Sequence, residues 1–514
     1  MLLPGEIVVD NFAGGGGAST GMELGLNTHV DIAINHDPAA IDMHKMNHPE
    51  TKHYCESVWD VDPVEACASR PVGYAWFSPD CKHFSIAKGG KPVEKNIRGL
   101  AWIVIKWCAL VPVRIFNLEN VKEFKDWGPL IEIEPGVFKP DKNKKGETFR
   151  GFLKALTIGL EKDSPVWSDI YHSLFRCKYD INQKLKIYKA IVKGLGYTLE
   201  YKLISAKDYG VPTTRLRLYI GARNDGHKIH WPKPTHGPDG SGLLPYKTTA
   251  EHVIDWSLPV LSIFGRKKPL AEKTMQRIFK GIKKFVIENE NPYIVSDRHN
   301  ISFITEHANG SSQRNMPIDE PLRTICAEVK GGHFALVSAT IDRQFGNSEG
   351  NRIDEPLGTI TCGGGGKCAL ITSHIVKMRG DNVGHGVDEP LHTISAGGFH
   401  LGEVRAFLMK YYGTGEGESL NSPLGTVTTK DRFALVTVKG ESYQIVDIGM
   451  RMLQPHELFS AMGFPKDYKI SHNSNGKKLS KSSQVNRCGN AVCPPVAQAL
   501  VEANLHITPN QIAA

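Results

Sequence analysis

A chain of 514 residues is too long for one hydrophobic core, so two or more domains are expected. Its 62 Lys and Arg against 54 Asp and Glu give a formal charge of +8 and an isoelectric point near 8.8, a mild lean toward a polyanionic partner. The ten cysteines form neither Cys-x-x-Cys pairs nor finger-like Cys and His spacing, which argues against a bound metal and a disulfide framework. No apolar run reaches membrane length and no basic-then-apolar leader opens the chain, so a cytoplasmic protein without membrane contact is expected.

Glu6 to Ala13 (EIVVDNFA) reads as a buried strand running into Gly14-Gly15-Gly16-Gly17, and Ala18 to Leu26 then starts a helix. That order turns backbone N–H groups and the positive end of a helix toward a ligand. Ser19 stands where the third glycine of G-x-G-x-x-G would fall, so the run fits a tight turn or a cofactor loop without specifying a dinucleotide. A second strand, Val30 to Asn35, ends about twenty residues further on, where nucleotide-binding α/β units offer a side chain to ribose hydroxyls. Asn35 and Asp37 are the polar candidates there, and Glu56 stands at the end of a short strand-like segment, HYCESV. Val72 to Phe77 (VGYAWF) makes a fourth strand that delivers Pro79, Asp80 and Cys81. A lone cysteine is commonly a small core filler, but one at the exit of a buried strand is positioned to attack a ligand. Arg114 to Leu118 makes a fifth strand and carries Glu119-Asn120-Val121. Five β and α alternations with polar residues at successive strand ends predict a doubly wound parallel sheet.

Residues 125–188 read as a charged, solvated insertion with two helix-like stretches, GFLKALTIGL and QKLKIYKAIVKGL. Residues 226–442 are richer in glycine, proline and short β-type runs, which predicts a second, mostly β domain. Within it the chain repeats itself. DEPLRTI at 319–325 recurs as DEPLGTI at 354–360 and DEPLHTI at 388–394, with a worn copy, SPLGTV, at 422–427. Prolines 321, 356, 390 and 423 are 35, 34 and 33 residues apart, the mark of one supersecondary unit copied in tandem. Two organisations follow: several readers of a partner, with Arg314, Arg343, Arg352 and Arg379 as the contacting cations, or a stacked scaffold in which one copy makes contact.

Phe12-Ala13-Gly14-Gly15-Gly16, Pro79-Asp80-Cys81-Lys82-His83-Phe84-Ser85, Glu119-Asn120-Val121, the run Tyr209 to Arg217 (YGVPTTRLR) and Gly489-Asn490-Ala491-Val492 occur in that order. With Arg451-x-Leu453-x-Pro455-x-Glu457 ahead of Met462-Gly463-Phe464-Pro465, the chain resembles the DNA (cytosine-5)-methyltransferases of bacterial or phage type. The resemblance covers roughly residues 7–225 and 443–503. It implies a Rossmann-like methyltransferase domain at 1–225, a target-recognition domain at 226–442, and a segment, 443–514, that returns to the first domain.

The resemblance further implies that Cys81 is the nucleophile at cytosine C6, that Glu119 acts at N3, and that Arg217 holds O2 with Arg215 in support. S-adenosyl-L-methionine is the implied cofactor, held by Phe12, Gly14, Gly16, Asn35 or Asp37, Glu56, Pro79 and Asn490. The basic loop after Cys81, with Lys82, Ser85, Lys88 and Lys91, would close over double-stranded DNA, and Arg314, Arg352 and Arg379 would contact it from the second domain. The target base must then be flipped out of the duplex. The expected protein is a monomer with neither metal nor membrane partner, and a cognate restriction endonuclease is a possible companion. Three positions depart from the family pattern: Asp80 for the proline before the cysteine, Thr213 for glutamine, and Asn35 for glutamate. A carboxylate beside the thiol raises its pKa unless it is paired, for instance with Lys82. The alternatives are a DNA-binding protein of the same fold with weak or lost catalysis, and an RNA cytosine-5 methyltransferase.

Overall fold

A computed structural model of the chain describes residues 1–80, 99–135, 137–175, 180–258, 261–264, 266–289, 303–308, 314–317, 332–337, 369–378, 382–394, 401–410, 435–438 and 441–505. The chain divides into two units. The first comprises Met1–Val253, Pro390–Gly398 and Gln454–Ala514, and the second Ile254–Glu389 and Phe399–Leu453.

The first unit is built on a seven-stranded sheet. Its strands are β1 (Ile7–Asn11), β2 (Ile32–Ile34), β3 (Lys52–Tyr54), β4 (Val72–Phe77), β5 (Val113–Asn120), β6 (Thr198–Ser205) and β7 (Leu216–Arg223). They lie in the order β3-β2-β1-β4-β5-β7-β6. Strands β1 and β4 are buried at every residue, as the near-continuous apolar runs of a sheet covered on both faces require. The chain runs outward from β1 to β3 and then crosses back to β4 and β5. Such a reversal, beyond the carboxyl ends of β1 and β4, is where open α/β sheets place their ligand crevice. The expected Rossmann-like, doubly wound architecture is present, with one correction to the all-parallel sheet. β1 to β5 are parallel, but β7 runs antiparallel to both β5 and β6. The connection from β6 to β7 is a short loop with one helical turn, too short for the crossover a parallel pair needs.

The reversal matters for the site. Glu119 lies opposite Tyr219 and Asn120 opposite Leu218, so the start of β7 comes to the same edge as the end of β5. Three helices frame the crevice. α1 (Gly17–Leu26) follows the glycine run, and α2 (Pro38–Asn47) begins with Asp37, which accepts from the Ala39 N–H at 3.0 Å ahead of a proline in the first turn. α3 (Ile103–Leu110) packs in the core beneath β4 and β5.

The insertion is more than a solvated elaboration. Its helices α4 (Glu147–Leu156) and α5 (Ile181–Lys193) fall on the two helix-like stretches, and their apolar faces join the main core. Phe149 and Phe152 of α4 meet Phe124, and Trp102 lies 5.3 Å from Trp127 and 5.7 Å from Phe152 between ring centroids. Charge patterning could not show this, because Trp127, Phe149 and Phe152 are scattered among the charged residues of the insertion and meet Phe124 and Trp102 from the flanking sequence.

In the second unit, helix α6 (Glu272–Ile282) covers an antiparallel sheet that includes β11 (Ala369–Lys377), β12 (Leu401–Lys410) and β13 (Glu441–Met452). Ile278, Ile282, Val376, Val404, Ile448 and Met450 form its core. A separate three-stranded piece orders β9 (Arg314–Pro317), β8 (Phe303–Ala308) and β10 (Gly332–Val337). Residues 319–325, 354–360 and 422–427 of the repeat lie outside the described residues, and only the third copy, 388–394, lies within them. The chain then returns to the first unit through α7 (Pro455–Ala461), α8 (Lys481–Asn490) and α9 (Pro494–Leu505), with α9 packed along α1.

One buried group gives the second unit a pH signature. His374 is fully buried on β11, stacked on Phe285, and neither ring nitrogen has a hydrogen-bond partner among the described residues. Gly281 leaves room for the ring, since a Cβ there would lie 2.4 Å from His374 Nε2. Burial pushes the imidazole down to about 3 from 6.5. The unfolded chain therefore binds the proton first. The stabilisation is complete above pH 6.5 and is lost as pH falls toward 3, at about 1.4 kcal/mol per unit. His374→Leu, which also removes two unpaired polar atoms, is expected to flatten that acid limb, as urea denaturation at pH 7.5 and 5 would show.

Candidate active site

The glycine run turns sharply at the end of β1. Gly14 and Gly16 take left-handed backbone angles (φ +52° and +95°), and Phe12 does so too at +65°. Gly17 opens α1, and a Cβ on it would lie 2.2 Å from the Val492 carbonyl, so only glycine admits the 490–492 segment this close. Tyr468 Oη donates to the Gly15 carbonyl at 2.6 Å and fixes the loop from the C-terminal part of the chain. Among the described residues, a Cβ added to Gly14 would meet only the Phe12 carbonyl, at 3.8 Å. Asn11, fully buried at the end of β1, has no hydrogen-bond partner for Oδ1 or Nδ2 among the described residues. A polar ligand at the crevice would meet both features.

The two ribose candidates occupy one turn. Asn35 Oδ1 accepts from the Asp37 N–H at 2.8 Å, and Asp37 Oδ2 pairs with Arg487 Nη2 at 2.8 Å. Arg487 lies on α8, three residues before Asn490, with its stem against Gly15. Sequence reading missed it. Its only signal was a basic residue just ahead of Gly489-Asn490. Glu56 and Asn490 are both exposed, the latter bonded to Asn486 Oδ1 at 3.4 Å.

Below the glycine loop a polar chain is buried. Ser19 Oγ donates to Asp10 Oδ2 at 2.7 Å and lies 2.9 Å from His44 Nε2, and His44 Nδ1 lies 2.8 Å from His53 Nε2. Burial raises the Asp10 carboxyl to about 7 and pushes His44 well below its ordinary value. Ser19, which breaks the glycine fingerprint, thus ties the first turn of α1 to β1.

At the end of β5 three charged residues converge. Glu119 is buried, with Arg217 Nε 3.1 Å and Arg215 Nη2 3.8 Å from its Oε1. Among the described residues that oxygen has no aligned hydrogen bond, a loose arrangement that a bound partner would tighten. Arg215, itself buried, also donates from Nη1 to the Gly489 carbonyl at 3.1 Å. Close by, burial pushes the Cys493 thiol up to about 11, against the lowering effect of both arginines. That makes Cys493 a poor nucleophile at neutral pH.

Asn120 links this cluster to the strand exit after β4. Its Nδ2 donates to the carbonyl of buried Pro79 at 3.1 Å, while its Oδ1 accepts from the Val121 N–H at 2.9 Å. The position two residues before Cys81 is thereby tied to the neighbour of Glu119. Cys81, Lys82, Ser85, Lys88 and Lys91 lie outside the described residues, as do Arg343, Arg352 and Arg379. Arg314 opens β9.

A sequence profile for the C-5 cytosine-specific DNA methylases matches residues 178–347 and 380–506, more than half of the chain. The chain belongs to this family. It is 25% identical over 264 residues to the Type II methyltransferase M.AquIA of Picosynechococcus sp., which spans 48% of this chain and 87% of that relative. It is 44% identical over 62 residues to the Type II methyltransferase M.BsuRI of Bacillus subtilis, a stretch of 12% of this chain and 14% of that relative. Solved structures of similar course include the S. pombe Dnmt2 methyltransferase (TM-score 0.42, 11% identity, 98% of each chain) and the Entamoeba histolytica methyltransferase EhMeth (TM-score 0.39, 11% identity, 98% of each chain).

The Asn120 link is open to test. Asn120→Ala leaves the Pro79 carbonyl without its donor in a buried setting and is expected to cost about 1–3 kcal/mol in chemical denaturation. Asn490→Ala, at an exposed helix end, is expected to stay within about 0.5 kcal/mol of the parent.

Proposed function

We propose that this DNA methylase transfers a methyl group to C5 of a flipped-out cytosine in double-stranded DNA through a covalent bond between Cys81 and C6. The observation that carries the reading is the convergence of Glu119, Arg217 and Arg215 beside the strand exit that leads to Cys81, across the crevice from the glycine loop. Cytosine C5 is a poor nucleophile until a nucleophile adds at C6. In this reading the Cys81 thiolate adds there, and electron density moves through the ring to C5 and N3. Glu119 holds a proton at N3, with Arg217 at O2 and Arg215 fixing the carboxylate from behind. C5, made nucleophilic by that addition, would take the methyl group, with the donor sulfur leaving as a neutral thioether. Loss of the C5 proton to a base, with elimination of the Cys81 thiolate, then restores the aromatic ring.

S-adenosyl-L-methionine fits the crevice. Asn11, buried without a hydrogen-bond partner among the described residues, and the Asn35-Asp37 turn are polar features of the right chemistry, and the exposed Glu56 and Asn490 would edge the site. Bound there, it would supply an electrophilic methyl group. Phe12, Gly14, Gly16 and Pro79 would shape the pocket, with Asn35 or Asp37 toward the ribose. Residues 1–225 with 443–514 would form the catalytic domain, and residues 226–442 the target-recognition domain, with Arg314, Arg352 and Arg379 toward DNA. The Lys82, Ser85, Lys88 and Lys91 loop would close over the target. The relatives' naming as Type II methyltransferases supports a cognate endonuclease as companion.

Cys81→Ser is expected to abolish methyl transfer while leaving DNA binding in place, since a hydroxyl is far less ionised than a thiol at neutral pH. DNA carrying 5-fluorocytosine should trap the parent protein covalently. Methyl transfer without any trapped adduct would rule this mechanism out. Glu119→Gln is expected to slow single-turnover transfer by about two to four orders of magnitude with little change in cofactor affinity. An equal loss of cofactor binding would reassign Glu119 to the cofactor pocket.

A further inference from the structure

Leu391, in the third copy of the repeat, brackets the loop that precedes β7. Its N–H donates to the Pro212 carbonyl at 2.9 Å, and its carbonyl accepts from the Thr214 N–H at 2.9 Å, an isolated parallel bridge across Thr213. Leu391, Val211 and Thr213 are fully buried, and Ile394 is nearly so. The segment Pro390–Gly398 belongs to the first unit although the chain on both sides belongs to the second. A strand-like bridge deep in one unit, made by a segment interposed from elsewhere in the sequence, must serve the loop it clasps.

That loop sets the two arginines. Thr213 Oγ1 is buried without a hydrogen-bond partner among the described residues, so the Thr213 side chain does not anchor it. The anchors are backbone bonds: Leu391 on Pro212 and Thr214, and the Ala206 N–H donating to the Arg215 carbonyl at 2.9 Å. The next groups along the chain are the guanidinium of Arg215, bonded to the Gly489 carbonyl, and that of Arg217, 3.1 Å from Glu119. Releasing one side of the clasp would let the loop backbone up to Arg215 drift from the carboxylate, and would loosen the entry to β7, where the pairing of Leu216 and Arg217 with Ser205 and Ile204 begins. Pro390 suits the position before the clasp, because its fixed φ stiffens the approach and it presents no competing N–H.

We propose that Pro390 and Leu391 form a positioning strap, through which the third repeat copy sets the geometry of Arg215 and Arg217 against Glu119. The role assigned to the strap rests on the methyltransferase reading above. It belongs to the third copy, although Leu322 and Leu357 hold the same place in the first two.

The test measures single-turnover methyl transfer to unmethylated genomic DNA from labelled S-adenosyl-L-methionine, together with cofactor and DNA dissociation constants, for the full chain. Leu391→Gly is expected to slow the transfer step about ten- to a hundredfold, the usual consequence of misplacing a reacting group by about 1 Å, with both dissociation constants unchanged. Leu391→Met, which keeps the backbone pair and the packing volume, should retain the parent rate. Leu322→Ala and Leu357→Ala should also retain it. A folded Leu391→Gly protein with the parent rate overturns the proposal, and so does an equal loss from Leu322→Ala or Leu357→Ala. Should Leu391→Gly not fold, Pro390→Gly loosens the approach while keeping the leucine, and a parent rate there overturns the strap just as well. Failure of the unaltered protein to make 5-methylcytosine on any DNA would instead sink the methyltransferase reading.

Discussion

A buried guanidinium cannot be left without partners, and at the carboxyl edge of the sheet Arg215 makes that demand. It stands 5% exposed, with Glu119 on one side and the Gly489 carbonyl on the other. Those partners come from the end of β5 and from α8, which lies 274 residues beyond Arg215 in the chain. Satisfying one charge therefore draws the C-terminal segment back to the carboxyl edge of the sheet. Once there, α8 also brings Arg487 to Asp37, and the Val492 carbonyl packs onto the glycine turn. The candidate cofactor crevice is thus walled by a segment whose position answers to the charge cluster next door.

The same edge depends on the direction of β7. Had β7 run parallel to β5, its first residues would lie at the opposite end of the sheet, about 20 Å away for a strand of ordinary length. Antiparallel entry brings Leu216 and Arg217 to the end of β5 instead, and the loop before them falls within reach of Leu391. Sheet topology and site chemistry are one constraint here. The acid at the end of one strand and the cations at the start of another meet only in this arrangement.

Much of this was legible in the sequence, and for identifiable reasons. The strand Val72–Phe77 was found to the residue, because a fully buried parallel strand is a continuous apolar run bounded by a polar turn. The meeting of Glu119, Arg215 and Arg217 was legible through ordered motifs. What sequence reading missed was long-range pairing. Nothing local marks Arg487 as the partner of a carboxylate 450 residues earlier, or Asn120 as the donor to Pro79 rather than a companion to Glu119. The antiparallel turn of β7 was equally hidden, since alternation in TRLRLYIG gives faces and not direction. The aromatic anchoring of the insertion was masked by its charge.

The repeat shows how periodicity and structure divide the information. Spacing marks recurrences of one pattern but treats them as equivalent, because three carry the same aspartate, glutamate, proline and leucine and the worn fourth keeps the proline and leucine. Contact breaks that equivalence. Leu391 sits fully buried against the arginine loop, and a backbone pair has room for one occupant, so whichever copy holds the loop excludes the others from it. A tandem array on such a fold is therefore under two different constraints. One copy must keep the backbone geometry that suits Pro212 and Thr214, while copies that do not occupy the clasp are free of that demand and can vary in the segments that lead up to their turns.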